Sequence, residues 1–328
     1  MRPHPQARHF QLAAGRPGCT TPLKRARRRI YLANVGANSS HPFASPRFSD
    51  GTFELLPIAE TPSEPGPHWV RFSDLMRWSD HGASLSHWVP ERWLNRAAHA
   101  DPEFHARTYG DNCDTAPRAA AFRAIRPGDL LFFFANLVDW EHDRRSGLSR
   151  FYLVGFLQID SILRSVLSQP APEDMARFGG NAHVRRGLND PRWWSGFWVF
   201  GGTARSRRFE HDVPVDRRFA RDILRTARGS PWRWDGHRTD LQVIGSYTRS
   251  CRCIINPSDA EGWERFRALA NAVEQANPEA CGVAAMRACW SSRMRLRAHL
   301  EVPSLPASAT TANEAPCQPP SRHVPESS

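Results

Sequence analysis

Two apolar runs lie in the middle of the chain: Leu-Leu-Phe-Phe-Phe-Ala-Asn-Leu at residues 130–137 and Phe-Tyr-Leu-Val-Gly-Phe-Leu-Gln-Ile-Asp at residues 151–160. Each is the length of a strand buried on both faces, and each is far shorter than the ~20 residues of a membrane-spanning helix. A Pro-Gly-Asp turn at 127–129 precedes the first run, and a polar segment at 139–149 separates the two. We therefore predict a buried β-hairpin over 126–160, with a polar connecting loop.

Weaker patterns flank the hairpin and predict a mixed α+β fold. Alternating and β-branched runs predict further strands at Ile30–Val35, Phe53–Ile58 and Trp198–Gly201. Helical spacing predicts helices at 88–98, 116–125, 215–227 and 260–276, with Asp212 and Ser258 as helix starts. No internal repeat or long linker interrupts these elements, so we predict a single domain over residues 29–302.

Both ends of the chain differ in composition from this domain. Residues 1–28 are rich in Arg, Pro and Gly, and residues 303–328 are rich in Pro, Ser, Thr and Ala. Low hydrophobicity of this kind predicts a disordered, Arg-rich arm and a disordered tail. Residues 1–29 contribute +8 of the net charge of +11, which leaves +3 for the rest of the chain. Any basic surface of the domain must therefore be local.

Seven cysteines are present, and no apolar signal segment begins the sequence. This number of cysteines and the lack of a signal segment predict free thiols in a cytoplasmic protein. No membrane partner is predicted. Cys251, Cys253, Cys281 and Cys289 could be imagined as a zinc site, but their spacing fits no standard C-x-x-C pattern. We predict buried thiols there and assign no metal site.

Four ordered blocks resemble a known family. The first is Leu-Ala-Asn-Val-Gly-Ala-Asn-Ser-Ser-His at 32–41, continued by Ser-Pro-Arg-Phe-Ser-Asp-Gly-Thr-Phe-Glu at 45–54 and Pro-Ile-Ala-Glu at 57–60. The others are His-Ala-Asp-Pro-Glu-Phe at 99–104, the segment 126–134 and Gly-Phe-Leu-Gln-Ile at 155–159. Together they resemble the third type of nucleotide modification associated domain. The resemblance implies a role in phage or bacterial systems that hypermodify or recognise altered DNA bases, and it implies no specific mechanism.

The Gly-Asp turn and its hairpin are similar to a second class, the PUA and EVE domains. Those small barrels hold a flipped or single-stranded base in an aromatic pocket. The similarity implies a PUA/EVE-like β-barrel core with flanking helices, although this chain is longer and has additional polar blocks at its N-terminal side. The similarity concerns the fold, and a fold alone does not determine function.

The densest group of ionisable residues lies between 99 and 114. It comprises His99, Asp101, His105, Asp111 and Asp114. A carboxylate beside a histidine suits general acid–base catalysis on a base, so we predict His99, Asp101 and Asp111 as catalytic residues. Two histidines and an aspartate could also ligate a metal, and the aspartates could instead cap helices or turns. The deaminase signature H-x-E…P-C-x-x-C is absent.

The first block places polar side chains at a strand end and in the loop after it. Amides and hydroxyls at such a position can read the edge of a base. With the family resemblance, they predict Asn34, Asn38, His41 and Glu54 as base-binding residues. The alternative is a turn whose side chains bond their own backbone.

Local positive charge is concentrated between 177 and 233, where thirteen arginines face five acidic residues and tryptophans are interleaved. Arginines for phosphates and aromatic faces for bases suit an unpaired nucleotide. We predict phosphate contacts from His183, Arg185, Thr203, Arg205, Ser206 and Arg208. The alternative is a solvated basic face over tryptophans of the core.

Three functions are compatible with these features. The first is modification of a DNA base or nucleotide through the polar His/Asp site, with DNA or a nucleotide as partner. The second is a non-catalytic reader that binds modified bases in a PUA/EVE-like pocket. The third is a structural role beside other components of a base-modification system. The sequence names no cofactor, and whether the protein is an enzyme stays open at this point.

Overall fold

The computed structural model describes residues 29–38, 40–60, 66–142, 144–226, 228–248, 253–255 and 260–278. All of them belong to one compact unit. The predicted disordered segments at 1–28 and 303–328 lie outside the described residues, as do Cys251, Cys281, Cys289 and the side chain of Cys253. Cys113, the cysteine whose side chain is described, is buried.

Eleven strands form in the described residues, and most belong to one mixed sheet. Their bounds are β1 Ile30–Val35, β2 Ser45–Arg47, β3 Ile58–Ala59, β4 Val70–Arg71, β5 Ala97–His99, β6 Thr108–Asp111, β7 Leu130–Glu141, β8 Arg144–Val166, β9 Phe197–Gly202, β10 Arg207–Pro214 and β11 Cys253–Ile255. The main sheet has the order β11-β1-β7-β8-β9-β6, with β10 also paired to β8 and β2 to β7. This confirms the mixed α+β class. Among the described strands the order does not close on itself, so the predicted barrel has no support.

The predicted hairpin is confirmed as β7 and β8, but its loop is shorter than expected. Trp140 pairs with Arg145 and Glu141 with Arg144, so only residues 142–143 connect the strands. Most of the segment 139–149, predicted as a loop, is therefore strand. Its residues extend past the core and are largely exposed, which explains their polarity.

Two pairings bring β1 and β6 to the same sheet. Strand β1 runs parallel to β7, with Ile30 opposite Leu130 and Val35 opposite Ala135. The second half of β8 pairs with β9, whose other edge pairs with β6. An aromatic core that includes Tyr109 and Phe133 lies beneath them, with the two rings 5.3 Å apart. The ends of β1 and β6 are thereby fixed on a rigid base.

A second, three-stranded sheet has the order β3-β5-β4. Ile58 of β3 pairs with His99 of β5, which places His99 at the end of the strand. The predicted strand Phe53–Ile58 is wrong, because only Ile58 is in a strand and Phe53 makes a single isolated bridge to Arg47. The side-chain oxygen of Ser45 instead accepts the backbone N–H of Leu56.

Six α-helices surround the sheets within the described residues. They are α1 Glu91–Leu94, α2 Pro172–Phe178, α3 Ala182–Asn189, α4 Arg217–Ile223, α5 Asp240–Thr248 and α6 Ala260–Ala276. The prediction at 260–276 is confirmed, and 116–125 is a 3-10 helix at Pro117–Ala124. The helix predicted at 88–98 is reduced to α1, because β5 begins at Ala97. None of the described helices has the length and apolarity needed to cross a membrane.

Two aspartates of the turns hold local structure. The carboxylate of Asp129, in the Pro-Gly-Asp turn, accepts the backbone N–H groups of Arg29 at 2.7 Å and Arg126 at 2.9 Å. Helix α4 is capped by Asp216, which accepts the backbone N–H of Phe219 at 2.7 Å. The predicted start at Asp212 is wrong, since its carboxylate accepts the Nε–H of Arg47 at 2.6 Å.

Candidate active site

A polar cleft of about 510 Å³ opens where the main sheet meets the small sheet. It is bounded by the ends of β1, β3, β5 and β6 and by the start of α3. Its polar lining comprises Asn34, Asn38, Glu60, His99, Asp101, Asp111, Asn112, Arg118, His183 and Arg186, and Trp193 forms part of its wall. A cleft of this size matches those that bind small ligands in proteins.

Three titratable side chains, His99, Asp101 and His183, meet in the cleft; we call them the titratable centre. Oδ2 of Asp101 lies 3.9 Å from Nε2 of His99 and 3.8 Å from Nε2 of His183. The two imidazole rings meet edge to face, with their centroids 4.7 Å apart. Each of the three side chains has a ligand atom within 4.8 Å of the others.

Asp101 is almost fully buried and only partly satisfied. Its Oδ2 accepts the backbone N–H of Gly110 at 2.7 Å and lies 3.4 Å from Nδ2 of Asn181. Its Oδ1 is buried without a hydrogen-bond partner. Burial raises the pKa of the Asp101 carboxyl well above its ordinary value. Buried polar atoms without partners are rare in folded proteins and concentrate where a ligand, ion or water binds.

His183 stands at the first turn of α3. Asn181 caps this helix by accepting the backbone N–H of His183 at 3.0 Å. Burial lowers the pKa of the His183 imidazole well below its ordinary value, and the nearby His99 lowers it further. The ring is therefore neutral at physiological pH and has proton-donor and acceptor nitrogens.

Gly110 leaves the space that His183 occupies. A Cβ at this position would lie 2.5 Å from Cδ2 of His183 and 2.8 Å from Oδ1 of Asn181. We expect Gly110→Ala to lower the free energy of unfolding by about 1–3 kcal/mol, because the His183 ring and the Asn181 side chain that caps α3 must both move. Urea unfolding followed by tryptophan fluorescence measures this. Gly180→Ala is the control, since its Cβ would meet only the Ala106 Cβ, at 3.7 Å; equal losses in both variants would refute the packing argument.

Glu60 and Arg186 support the titratable centre from one side. One oxygen of Glu60 is hydrogen-bonded to Nδ1 of His99. The other lies 3.7 Å from Nη1 of Arg186. The Arg186 guanidinium also stands 4.4 Å above the Trp193 ring, and its Nη2 is 3.4 Å from Nδ1 of His183. A single chain of contacts thus joins the wall of the cleft to both histidines.

Asp111 lies deeper in the same cleft and is held by its neighbours. Its carboxylate accepts Tyr109 Oη–H at 3.0 Å, the backbone N–H of Asn112 at 2.8 Å and Nη2–H of Arg118 at 3.0 Å. The Arg118 side chain is about half exposed. These contacts show that Asp111 holds the Arg118 guanidinium in place. The catalytic role of Asp111 stays a prediction.

His105 and Asp114, the other members of the predicted cluster, lie outside the cleft. His105 is exposed and stacks on Trp78, with centroids 4.6 Å apart. Asp114 accepts Nε1–H of Trp198 at 3.1 Å and Oγ–H of Ser165 at 2.7 Å. The sequence cluster is therefore divided between the cleft and the surface.

The predicted base-binding residues are also divided. Asn34 and Asn38 line the cleft. Oδ1 of Asn38 accepts from Ser40 N–H and Oγ–H, so part of this loop satisfies itself as the alternative reading predicts. His41 packs its ring against Phe43 at 5.4 Å. Glu54 is buried away from the cleft, where its carboxylate accepts three hydrogen bonds from Trp78 and Ser79.

Of the predicted phosphate-binding residues, only His183 lines the cleft. Arg185 is on the same helix and largely buried, and burial lowers its pKa. Thr203 and Arg205 form a turn between β9 and β10, in which Thr203 Oγ1 accepts the Arg205 N–H. Ser206 is buried and its Oγ accepts the backbone N–H of Gln158 at 2.9 Å.

Of the predicted phosphate-binding residues, Arg208 differs most from an arginine on a solvent-exposed surface. Its side chain is buried over Phe53, with Cζ 3.9 Å from the ring centroid, and donates to the carbonyls of Phe53 and Phe209. Burial lowers its pKa to about 10, while nearby Glu54 acts in the opposite direction. These neighbours already use the hydrogen-bonding groups of Arg208.

The fold also brings to the cleft polar and aromatic side chains that were not predicted as site residues, among them Glu60, Asn112, Arg118, Arg186 and Trp193. Glu60, Arg186 and Trp193 lie in segments whose motifs were already noted in the sequence. Nothing in the sequence distinguished Asn112 and Arg118 from ordinary turn and helix residues.

A known family model matches much of the chain. The family model described as nucleotide modification associated domain 3 matches residues 29–215, more than half of the chain. No curated protein and no solved structure matches this chain. Every residue that lines the polar cleft falls within the matched segment.

Proposed function

The chain belongs to the nucleotide modification associated domain 3 family, and from this premise we propose that its cleft binds a nucleic-acid base and modifies it. The substrate is a base of DNA, or the nucleotide that carries it. The titratable centre activates the group that attacks the base.

The observation that carries this proposal is the convergence of separate segments on one buried carboxyl group. β1, β5, β6 and α3 each bring polar side chains to the cleft, and Asp101 lies among them with a free Oδ1. A carboxyl with a pKa raised by burial, beside two imidazoles, is the arrangement that proton-transfer sites use.

The wall of the cleft offers groups suited to a base. Oδ1 of Asn112 is buried without a hydrogen-bond partner, and Asn34 also lines the cleft. Amides present both donors and acceptors, as the Watson–Crick edge of a base requires. The Trp193 ring provides an aromatic face, on which stacking of a base contributes about 1–3 kcal/mol.

Arg118 is the residue that we propose for the phosphate. It lies at the cleft with a half-exposed guanidinium, fixed on one side by Asp111. This replaces the predicted 203–208 segment as the first candidate, because that segment does not line the cleft. Arginine binds phosphate through two parallel hydrogen bonds, which gives geometry as well as charge.

Arg118→Gln is therefore expected to weaken binding of a nucleoside monophosphate at least about tenfold, since a hydrogen bond to a charged group contributes roughly 1.5–3 kcal/mol. Isothermal titration with the monophosphate and with the matching nucleoside measures the effect. Affinity for the nucleoside, which has no phosphate, should change little. Arg123→Gln is the control, because Arg123 lies on the same 3-10 helix and donates only to the Ala120 carbonyl. Equal weakening of nucleoside and monophosphate would contradict the assignment.

Two assays distinguish a protein that modifies a base from a reader that only binds a modified base. Mass spectrometry of nucleosides from DNA exposed to the purified protein detects conversion of a base, and binding to modified and unmodified oligonucleotides detects recognition. We expect conversion once the co-substrate is supplied from a lysate of the native host. Preferential binding of a modified oligonucleotide without any conversion would favour the reader. Failure of both would leave a structural role beside other components of a modification system.

A further inference from the structure

The titratable centre has the composition and spacing of a metal site. We propose that His99, Asp101 and His183 bind one divalent transition-metal ion, such as Zn²⁺ or Fe²⁺, with open coordination positions toward the cleft. The proposed ligand atoms are Nε2 of both histidines and the carboxylate of Asp101. Metal binding stands on the geometry alone, whereas its use in base modification rests on the proposed function.

The distances are close to those of a bound ion. Metal–ligand bonds of about 2.0–2.2 Å allow two ligands of one ion to be at most about 4.4 Å apart. The Asp101 Oδ2 to His99 Nε2 and His183 Nε2 distances, 3.9 and 3.8 Å, are within that limit. One possible ligand atom of each of the three residues lies within 4.8 Å of the others, so small side-chain movements would complete the site.

The Asp101 side chain supplies a second, independent observation. It is buried, and its Oδ1 has no hydrogen-bond partner. A buried carboxylate oxygen without a donor is stabilised by a cation, which removes the penalty of leaving the oxygen unpaired. Oδ2 is meanwhile held by the Gly110 N–H, which fixes the carboxyl plane.

Glu60 orients the first histidine for metal binding. Because Nδ1 of His99 is hydrogen-bonded to the Glu60 carboxylate, the neutral ring keeps its proton on Nδ1. Its Nε2 then presents a lone pair on the side of Asp101. Carboxylate–histidine–metal arrangements of this kind recur in metal sites, where they fix the tautomer and the ring orientation.

Arg186 must move before His183 can bind a metal through Nε2. Its Nη2 lies 3.4 Å from Nδ1 of His183, whereas a metal on Nε2 needs the proton on Nδ1. The guanidinium must therefore turn away when the ion binds. Glu60 and the Trp193 ring, both already in contact with Arg186, are available as its partners.

The donor set selects the class of ion. Two imidazoles and one carboxylate suit Zn²⁺, Fe²⁺ or Co²⁺, whereas Mg²⁺ and Ca²⁺ prefer oxygen ligands alone. Three protein ligands leave positions for water or for a group of the substrate. A bound ion would acidify that water or polarise that group, which is a way to activate an attacking atom.

The test uses the full chain after removal of metals with a chelator and without any nucleotide. Co²⁺ is titrated and followed by its visible d–d absorption, and Zn²⁺ affinity is measured by competition with a chromophoric chelator. We expect one Co²⁺ per chain with nitrogen and oxygen ligation, displacement by Zn²⁺, and no displacement by Mg²⁺. Zn²⁺ should also raise the Tm, because it binds the folded state.

Variants locate the site. His99→Gln and Asp101→Asn should each weaken Zn²⁺ binding more than about 100-fold. Glu60→Gln should weaken it about 10–100-fold, because Glu60 does not bind the ion itself but is hydrogen-bonded to the ligand His99. His105→Gln, an exposed histidine outside the cleft, should leave the affinity unchanged. If a variant does not fold, NMR of the wild-type protein decides instead, because bound Co²⁺ should give strongly contact-shifted imidazole N–H signals from two ligating histidines.

Several results would overturn the proposal: no Co²⁺ or Zn²⁺ binding by the wild type, thiolate charge-transfer bands that indicate cysteine ligands, or affinity unaffected by Asp101→Asn. Base conversion by metal-free protein would refute a role of the ion in the reaction and leave the proposed function intact. A metal-binding protein that neither converts nor binds any nucleotide would refute the proposed function and leave the metal site intact.

Discussion

Asp101→Asn is expected to lower the rate of base modification at least ~100-fold, the lower end of what a positioned acid–base group contributes. The carboxamide retains the shape of the side chain and can still accept the Gly110 N–H. It cannot exchange a proton, and it replaces a carboxylate oxygen with a neutral group. The measurement is the rate at which modified nucleosides form, followed by mass spectrometry, for wild type and variant at equal concentration.

The fold should survive this substitution. Burial raises the pKa of the Asp101 carboxyl, so the folded protein already disfavours its charged form. A neutral carboxamide removes that penalty, so in metal-free protein the Tm of the variant should equal or exceed that of the wild type. Loss of activity with retained stability is typical of residues that serve function at the expense of stability.

His105→Gln is the matched control for Asp101→Asn. His105 belongs to the same sequence cluster, but it is exposed and stacks on Trp78 outside the cleft. Its replacement should leave the rate within about twofold of the wild type, since surface substitutions away from special features have small effects. An unchanged rate in Asp101→Asn would remove Asp101 from the reaction, and a large loss in His105→Gln would place the reaction outside the cleft.

The fold was most predictable where the sequence has one clear hydrophobic pattern. Apolar runs buried on both faces identified β7 and β8, and helical spacing identified α6. The parallel pairing of β1 with β7 could not be predicted, because strand partners far apart in sequence depend on the whole sheet. The polar segment 139–149 was misassigned because exposed strand ends have the composition of loops.

The site was predictable in part, for a similar reason. His99 and Asp101 lie in one short block, so their proximity follows from the sequence. His183 was singled out as a phosphate ligand, yet the fold places it against Asp101. Only the capping of α3 by Asn181 and the small Gly110 allow that approach, and neither has a signature in one sequence.

The arginines between 203 and 208 show how little composition says about the direction of a side chain. An Arg-rich segment usually indicates a solvated face, but Arg208 turns inward and packs on Phe53. Whether a side chain in such a run points outward depends on strand register, since alternate residues of a strand face opposite sides. Arg207 and Arg208 are the first residues of β10, which pairs with β8, and of the two Arg208 is the buried one.

Glu54→Ala is expected to lower the free energy of unfolding by about 3–5 kcal/mol, the loss typical of breaking a buried ion pair. The Glu54 carboxylate accepts Trp78 N–H at 2.8 Å, Ser79 N–H at 3.0 Å and Ser79 Oγ–H at 2.6 Å. Its Oε2 also lies 3.8 Å from Nη2 of Arg208, and both side chains are buried. Alanine would leave these donors without an acceptor and the Arg208 charge without its negative counter-charge. Urea unfolding, monitored by fluorescence and circular dichroism, measures the loss.

Two further variants distinguish this structural role from the base-binding role predicted from sequence. Glu54→Gln keeps a carbonyl acceptor and should lose less than Glu54→Ala. Arg208→Met should also lose less, because Glu54 would retain its three hydrogen bonds while the buried cation is replaced by an apolar chain of similar length. If Glu54 instead contacts a base, Glu54→Gln would reduce nucleotide affinity in the folded protein, and Glu54→Ala would change stability by less than about 1 kcal/mol, as expected for a weakly coupled surface charge. The structural role predicts the reverse, because no atom of Glu54 lines the polar cleft and all of its hydrogen bonds hold the segment 78–79 against the core.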